Sequence, residues 1–294
     1  RLDFDNLQGL DPAAAFRTTF EDSTGNGSNP HDAVLLPREP AAGDAGQLAF
    51  VTRYEPPFND VAIFDLADGT LVDRIDLTPY ARNADGLPRA DQALLHGGLL
   101  YVTMEDVNAS FTQFMTGRLL VIDPVARRVS DVIDLDGQNP FESLIWSEAT
   151  GRLYVGLAGI FPGRLAQALT GGIDAIDPET RRATLIVDDD ALGGNVSAVA
   201  VTSAERGYCV VSDASYRNSV KAFNPTTGEV LGTVFASPNQ LAAFESDGDG
   251  YLLVGEDDFF APRIVVLDAE TGAVVTSLPS RLPPASFAIL TRSL

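Results

Sequence analysis

The chain has 294 residues, 45% of them hydrophobic, and a formal net charge of −21 at pH 7. A polyanion of this kind repels phosphate backbones and anionic lipid, which argues against nucleic acid as a partner. No apolar run approaches the ~20 residues that a spanning helix needs, so the chain reads as not membrane-spanning.

Taken in chain order, the first patterned stretch is "LDPAAAFRTTF" from Leu10, and the irregular loop "STGNGSNPHD" comes after it. Five later segments align with that stretch and give it meaning: "VAIFDLADGTLVDRIDL" from Val61, "LLVIDPVARRVSDVIDL" from Leu119, "IDAIDPETRRATLIVDD" from Ile173, "VKAFNPTTGEVLGTVFA" from Val220 and "IVVLDAETGAVVTSLPS" from Ile264. Each is an apolar run, an Asp or Asn, a few turn residues and a second alternating run. That is a hairpin whose Asp or Asn opens the turn through its side chain. The anchors Asp65, Asp123, Asp177, Asn224 and Asp268 are 58, 54, 47 and 44 residues apart. A second strand pair precedes each hairpin, as in "FESLIWSEATGRLYVGLAG" and "LAAFESDGDGYLLVGEDD". Each repeat is therefore four antiparallel strands, A to D, and radial repetition of such a unit is a β-propeller. A further A-type strand is read at Pro283–Arg292, where the chain ends. It pairs naturally with the opening stretch, with Asp11 as a sixth anchor. The expected fold is all-β: one propeller domain over residues 1–294, of six four-stranded blades closed by pairing the N- and C-terminal strands, with five or seven blades as alternatives.

Ligands of propellers sit at the mouth of the central channel, which the A strands line. Aligning the apolar cores of those strands places Asp32, Asp91, Glu142, Ser197, Gln240 and Ser286 at one level, flanked by Asn29, His31, Asn139, Asn195 and Asn239. Converging carboxylates of Asp32, Asp91 and Glu142 would suit Ca²⁺ or another divalent cation at the channel mouth, because hard cations take oxygen ligands. The competing expectation is that Asn-Pro and Asp merely shape the turns into strand A. The long B–C loops set Phe111, Phe114, Phe259 and Phe260 beside acidic residues such as Glu105 and Asp106, with Ile160, Phe161 and Leu165 in a third loop. These are expected either to form a ligand or partner surface or to fold back into the core. The lone cysteine, Cys209, lies in an apolar strand and reads as core.

The B strands "AFVTRY", "LYVTMED" and "LYVGLAG" carry a further signature: Tyr101-Val102-Thr103 matches the first three letters of the YVTN motif, with Met104 in the fourth place. Together with "NPHDAVLL" and "IVVLDAETGAVV", the chain resembles bacterial YVTN-repeat, YncE-like β-propellers. The resemblance implies export to the periplasm or cell surface, in some members through a lipid anchor lying outside this sequence. It implies no catalytic residues, because the family has no shared catalytic motif. An opening Arg1 in place of Met fits either a mature chain or a trimmed one whose export signal is absent.

Three functions are expected from this pattern. The first is a non-enzymatic, monomeric propeller that binds a protein or a small molecule through the loop-rich face. The second is a metal-dependent hydrolase or lactonase, with Asp32, Glu142, Asn195 and Asn239 around an axial cation and His31 as base. The third is a passive scaffold domain. No Gly-x-Ser-x-Gly elbow, phosphate loop or CxxC pair occurs.

Overall fold

The computed structural model describes residues 27–37, 47–66, 69–163 and 165–287, the Glu142 side chain excepted. Among them, twenty strands form five four-stranded antiparallel sheets, each a simple meander in chain order. Blade 1 is β1 (Pro30–Pro37), β2 (Gln47–Arg53), β3 (Asp60–Asp65) and β4 (Leu71–Asp76). Blade 2 is β5 (Ala90–His96), β6 (Leu99–Met104), β7 (Thr116–Asp123) and β8 (Arg128–Gln138). Blade 3 is β9 (Pro140–Ser147), β10 (Arg152–Leu157), β11 (Gly172–Asp177) and β12 (Arg182–Asp188), with the one-turn helix α1 (Asp189–Leu192) directly after it. Blade 4 is β13 (Asn195–Val201), β14 (Gly207–Ser212), β15 (Asn218–Phe223) and β16 (Val230–Ser237). Blade 5 is β17 (Gln240–Ser246), β18 (Tyr251–Asp257), β19 (Arg263–Asp268) and β20 (Val274–Pro279). The chain is a β-propeller.

The turn anchors work as their spacing predicts. Oδ1 of Asp123 accepts from the backbone N–H groups of Val125 and Ala126, and Oδ1 of Asp177 from those of Glu179 and Thr180. Asn224 and Asp268 do the same for Thr226 and Thr227, and for Glu270 and Thr271. Side-chain capping of the turn leaves its backbone donors satisfied without help from the rest of the fold.

The core lies between blades rather than within them. Strand residues alternate faces, so each sheet feeds two apolar layers. Phe50, Ile63 and Leu77 of blade 1 meet Leu100, Val102 and Leu120 of blade 2. Tyr101, Leu119 and Val121 meet Leu144, Leu153 and Val155 of blade 3. Tyr154 and Ile173 meet Val199, Cys209 and Phe223 of blade 4, and Val210 and Val220 meet Leu252 and Val265 of blade 5. Burial pushes the Cys209 thiol up to about 12, so it stays an unreactive core group.

The inner strands β1, β5, β9, β13 and β17 pack against one another in that order, and among the described residues β17 makes no comparable contact with β1. The described residues thus leave blades 5 and 1 unjoined. The expected closing blade falls on residues 1–26 and 288–294, outside the described residues. The described part of its A strand, residues 283–287 with Ser286, contains no strand.

One local feature shapes the site. Every inner strand is irregular where it meets strand B, at Pro30/Ala33, Ala90/Ala93, Val196/Ala198 and Leu241/Ala243, and opposite Val155/Leu157 in blade 3. Bulges re-aim side chains, and these lie at the end of strand A that adjoins the B–C loops.

Candidate functional site at the channel mouth

The bulges change which residues are equivalent. The backbone N–H of Asp32 donates to Thr52 Oγ1 at 2.9 Å, and in blade 2 it is Gln92, not Asp91, whose N–H donates to Thr103 Oγ1 at 2.9 Å. The place of Asp91 in blade 2 is that of His31 in blade 1. The structure brings those two together instead of ranking Asp91 beside Asp32: His31 Nδ1 lies 2.7 Å from Asp91 Oδ1. Asn29, in the left-handed region at φ 47°, donates from Nδ2 to His31 Nε2 at 3.1 Å. With Nε2 accepting, Nδ1 carries the proton and donates it to Asp91, so the imidazole is held by both nitrogens. Its ring stacks on Tyr54, 4.2 Å between centroids and 4° from parallel. The pair therefore props Tyr54 and offers no free basic nitrogen.

Asp32 also has a structural task. Oδ1 accepts from the N–H of Ala33 at 2.7 Å and Oδ2 from the N–H of Ala93 at 2.9 Å, tying β1 to β5. Burial nonetheless raises its pKa above the ordinary carboxylate value. Asp91 Oδ1 accepts from Gln92 Nε2 as well as from His31. Asn195 donates to the carbonyl of Ala158 at 2.6 Å and accepts from Gln167 at 2.7 Å. Asn239 donates weakly towards Glu256 and Asp258. The side-chain oxygens of Asp32, Asp91 and Asn195 thus accept from protein donors. Among the described residues no three His, Cys, Asp or Glu side chains gather to hold a metal ion. Glu142 has its backbone in β9, and its side chain lies outside the description.

What the first three blades do build is an aromatic cavity of about 300 Å³, lined by Tyr54, Glu105, Phe111, Phe114, Asn139, Phe141, Ile160, Phe161 and Leu165. The two B–C loops that supply most of it are ordered hairpins. Val107 bridges Phe114, Asn108 Oδ1 accepts from the N–H groups of Thr112 and Gln113, and Ile160 bridges Ala168. Gly171 lets the third-blade loop return closely: a Cβ there would stand 2.0 Å from the Leu157 carbonyl oxygen. Asp106, fully buried, accepts from the N–H groups of Arg82 and Asn83 and anchors the second-blade loop from below.

Arg89 holds the walls. It is buried, with φ 49°, and its guanidinium lies 4.7 Å from the Tyr54 ring centre and 4.3 Å from that of Phe111. Its Nε donates to the Val107 carbonyl at 3.1 Å, and Nη1 pairs with Glu55 at 3.3 Å. Stacking of this kind fixes both rings. The Tyr54 hydroxyl donates to Glu105 Oε2 at 2.7 Å, and burial, with the Glu105 charge second, raises its pKa far above the ordinary phenol value.

A second cavity of about 300 Å³ adjoins the first across the edge-to-face pair Phe141–Phe161, whose centroids are 6.3 Å apart. It is lined by those rings with Ser197, Ser212, Tyr216, Asn218, Gln240 and Leu241. Two larger hollows, of about 420 and 570 Å³, have turn and strand residues for walls and no aromatic cluster.

Of the residues singled out in the sequence, Glu105, Phe111, Phe114, Asn139, Ile160, Phe161 and Leu165 line the first cavity, Ser197 and Gln240 line the second, and Asn29, His31 and Asp91 hold Tyr54 of the first. Phe259 and Phe260 pack edge to face on each other, are 84% and 91% exposed and line neither cavity. Tyr54, Arg89 and Phe141 carry no signal in the repeat that marks them as site residues. Phe141 lies inside "NPFE", between Asn139 and Glu142, which the repeat does mark.

No protein-family model matches the chain, and no curated protein does. Solved structures do. The dihydro-heme d1 dehydrogenase NirN in complex with DHE is 18% identical, with a TM-score of 0.48 over 80% of this chain, which spans 56% of that one. A protein described as a putative 6-phosphogluconolactonase from Bacteroides uniformis is 12% identical, with a TM-score of 0.53 over 87% of this chain and 74% of its own. The latter likeness is one of fold, and it agrees with the five sheets: the architecture is that of β-propeller proteins.

Proposed function

We propose that this chain is a ligand-binding propeller whose ligand is a small, largely apolar molecule seated in the cavity between the first three blades. One observation carries the reading: five aromatic side chains from three consecutive blades, four on loops and Phe141 at the start of β9, line one concave space, with buried Arg89 stacked on two of them. Pre-formed apolar cavities with few polar groups are what small-molecule sites look like. The protein-partner and scaffold alternatives have no comparable built feature in their support. The YVTN-type B strands support export to the periplasm or cell surface as the setting.

The test is titration with small neutral aromatics such as indole and naphthalene, monitored by ligand-observed NMR. Saturable one-to-one binding is expected. Phe161→Glu, which sets a charge in the wall from a half-buried loop position, should weaken it at least ~10-fold with little change in melting temperature. Binding that is absent, or unaffected by F161E, overturns the reading.

A further inference from the structure

We infer that the ligand is an aryl glycoside, with its apolar ring in the first cavity and its hydroxyl-rich sugar in the second. The inference rests on the ligand-binding reading of the first cavity and deepens it. The two cavities, each of about 300 Å³, share Phe141 and Phe161 as walls, so a molecule lying over that pair enters both. One alone is at the lower end for a ligand site, and the two together fall well inside the ordinary range.

The second cavity differs from the first in what it can bond. Ser197, Ser212 and Gln240 bring two hydroxyls and an amide to a lining that also holds Phe141, Phe161 and Tyr216. Ser197 and Ser212 are half-buried and Gln240 is exposed, so a molecule in the cavity can reach them. Among the described residues the Ser197 hydroxyl and the Gln240 amide have no hydrogen-bond partner. Ser212 Oγ donates to Asn218 Oδ1 at 2.7 Å, which leaves its oxygen as an acceptor. Sugar hydroxyls both donate and accept, and this mixture of hydroxyl and amide groups meets both needs. The C–H faces of a sugar ring are apolar and pack on aromatic walls.

The wall is held in place from several sides. Tyr216 has φ 59°, a conformation that a bulky residue adopts only where its surroundings impose it. Asp213 Oδ1 accepts from the N–H groups of Ser215 and Arg217, and Asn218 Nδ2 donates to the Tyr216 carbonyl at 3.0 Å. The Tyr216 hydroxyl donates to the Pro162 carbonyl, in the loop that carries Phe161. The loop after β14 thus fixes the ring that both cavities share.

Matched pairs of probes test this on the unaltered chain: indole against indoxyl β-D-glucopyranoside, and 2-naphthol against 2-naphthyl β-D-glucopyranoside, each pair differing in the sugar. Calorimetric or NMR titration should show the glucoside of each pair binding about 10- to 100-fold more tightly. Gln240→Ala and Ser197→Ala should each shrink that advantage about 3- to 10-fold. Melting curves check that both variants are folded. Binding of the bare rings with equal affinity within both pairs would overturn the inference and leave the first cavity a ligand site. An advantage that neither substitution reduces would overturn it too, because the sugar would then lie elsewhere. Failure of all four probes to bind would overturn the inference and the ligand-binding reading together.

Discussion

Replacing Asp60 by Asn is expected to lower the free energy of unfolding by about 3–5 kcal/mol. Arg53, the last residue of β2, is 1% exposed. Its Nε donates to Asp60 Oδ1 at 2.7 Å and its Nη2 to Oδ2 at 2.5 Å, a two-pronged pair between the end of β2 and the start of β3. The guanidinium also lies 4.4 Å from the Phe58 ring centre. Asn keeps the shape but removes the charge and turns an N–H group towards the guanidinium. A buried cation without its counter-charge is among the most costly defects a core can carry. Urea denaturation measures the loss, and the melting temperature should fall by roughly 5–15 °C. The double variant R53M/D60L, which removes both charges, should recover most of the stability, because the penalty belongs to the uncompensated charge and not to the lost contact. A D60N loss below about 1 kcal/mol would mean that water reaches Arg53 and that the pair is not buried in effect.

Asp174→Asn should act in the opposite direction, and only above acidic pH. Asp174 lies in β11, fully buried; Oδ2 accepts from the Asp136 N–H at 2.8 Å, and Oδ1 has no partner among the described residues. Burial pushes its carboxyl up to about 7 from an ordinary 3.8, while the bond from the Asp136 N–H opposes the rise. Below pH ~4 the carboxyl is protonated whether the chain is folded or not, and the group costs nothing. As pH rises from about 4 to about 7, the unfolded chain releases the proton and the folded chain retains it, so stability falls; above about 7 the deficit is constant. At about 1.36 kcal/mol for each pH unit the deficit is on the order of 4 kcal/mol. Asn accepts the same bond from Asp136 and has no charge to bury. The variant should therefore equal the wild type near pH ~4 and exceed it increasingly up to pH ~7. The difference between the two melting curves, taken across that range, cancels slopes due to other groups. A pH-independent difference would show that Asp174 is ionised in the folded chain at all these values.

The repeat was legible because its marks are local. Asp123, Asp177, Asn224 and Asp268 each bond N–H groups two and three residues ahead, so the turn chemistry and the sequence pattern are one fact. The ring of polar residues was legible as a place but not as an arrangement. Alignment by apolar cores assumes an unbroken period of two, and the bulge in each inner strand breaks it at the site. Asp91 thereby moved from the place of Asp32 to that of His31; Asp32 and Asp91 tie β1 to β5, and Asn195 holds the loop that follows β10.

What the sequence determined by itself is the blade, its turns and the all-β class, because periodicity and side-chain capping need no knowledge of distant residues. Tertiary structure alone decided the cavity. His31 meets Asp91 60 positions away, Tyr54 meets Glu105 51 positions away, and Arg89 closes Tyr54 and Phe111 into one wall. Contacts of that separation are set by how blades pack and where their bulges turn a side chain, and no local pattern encodes either.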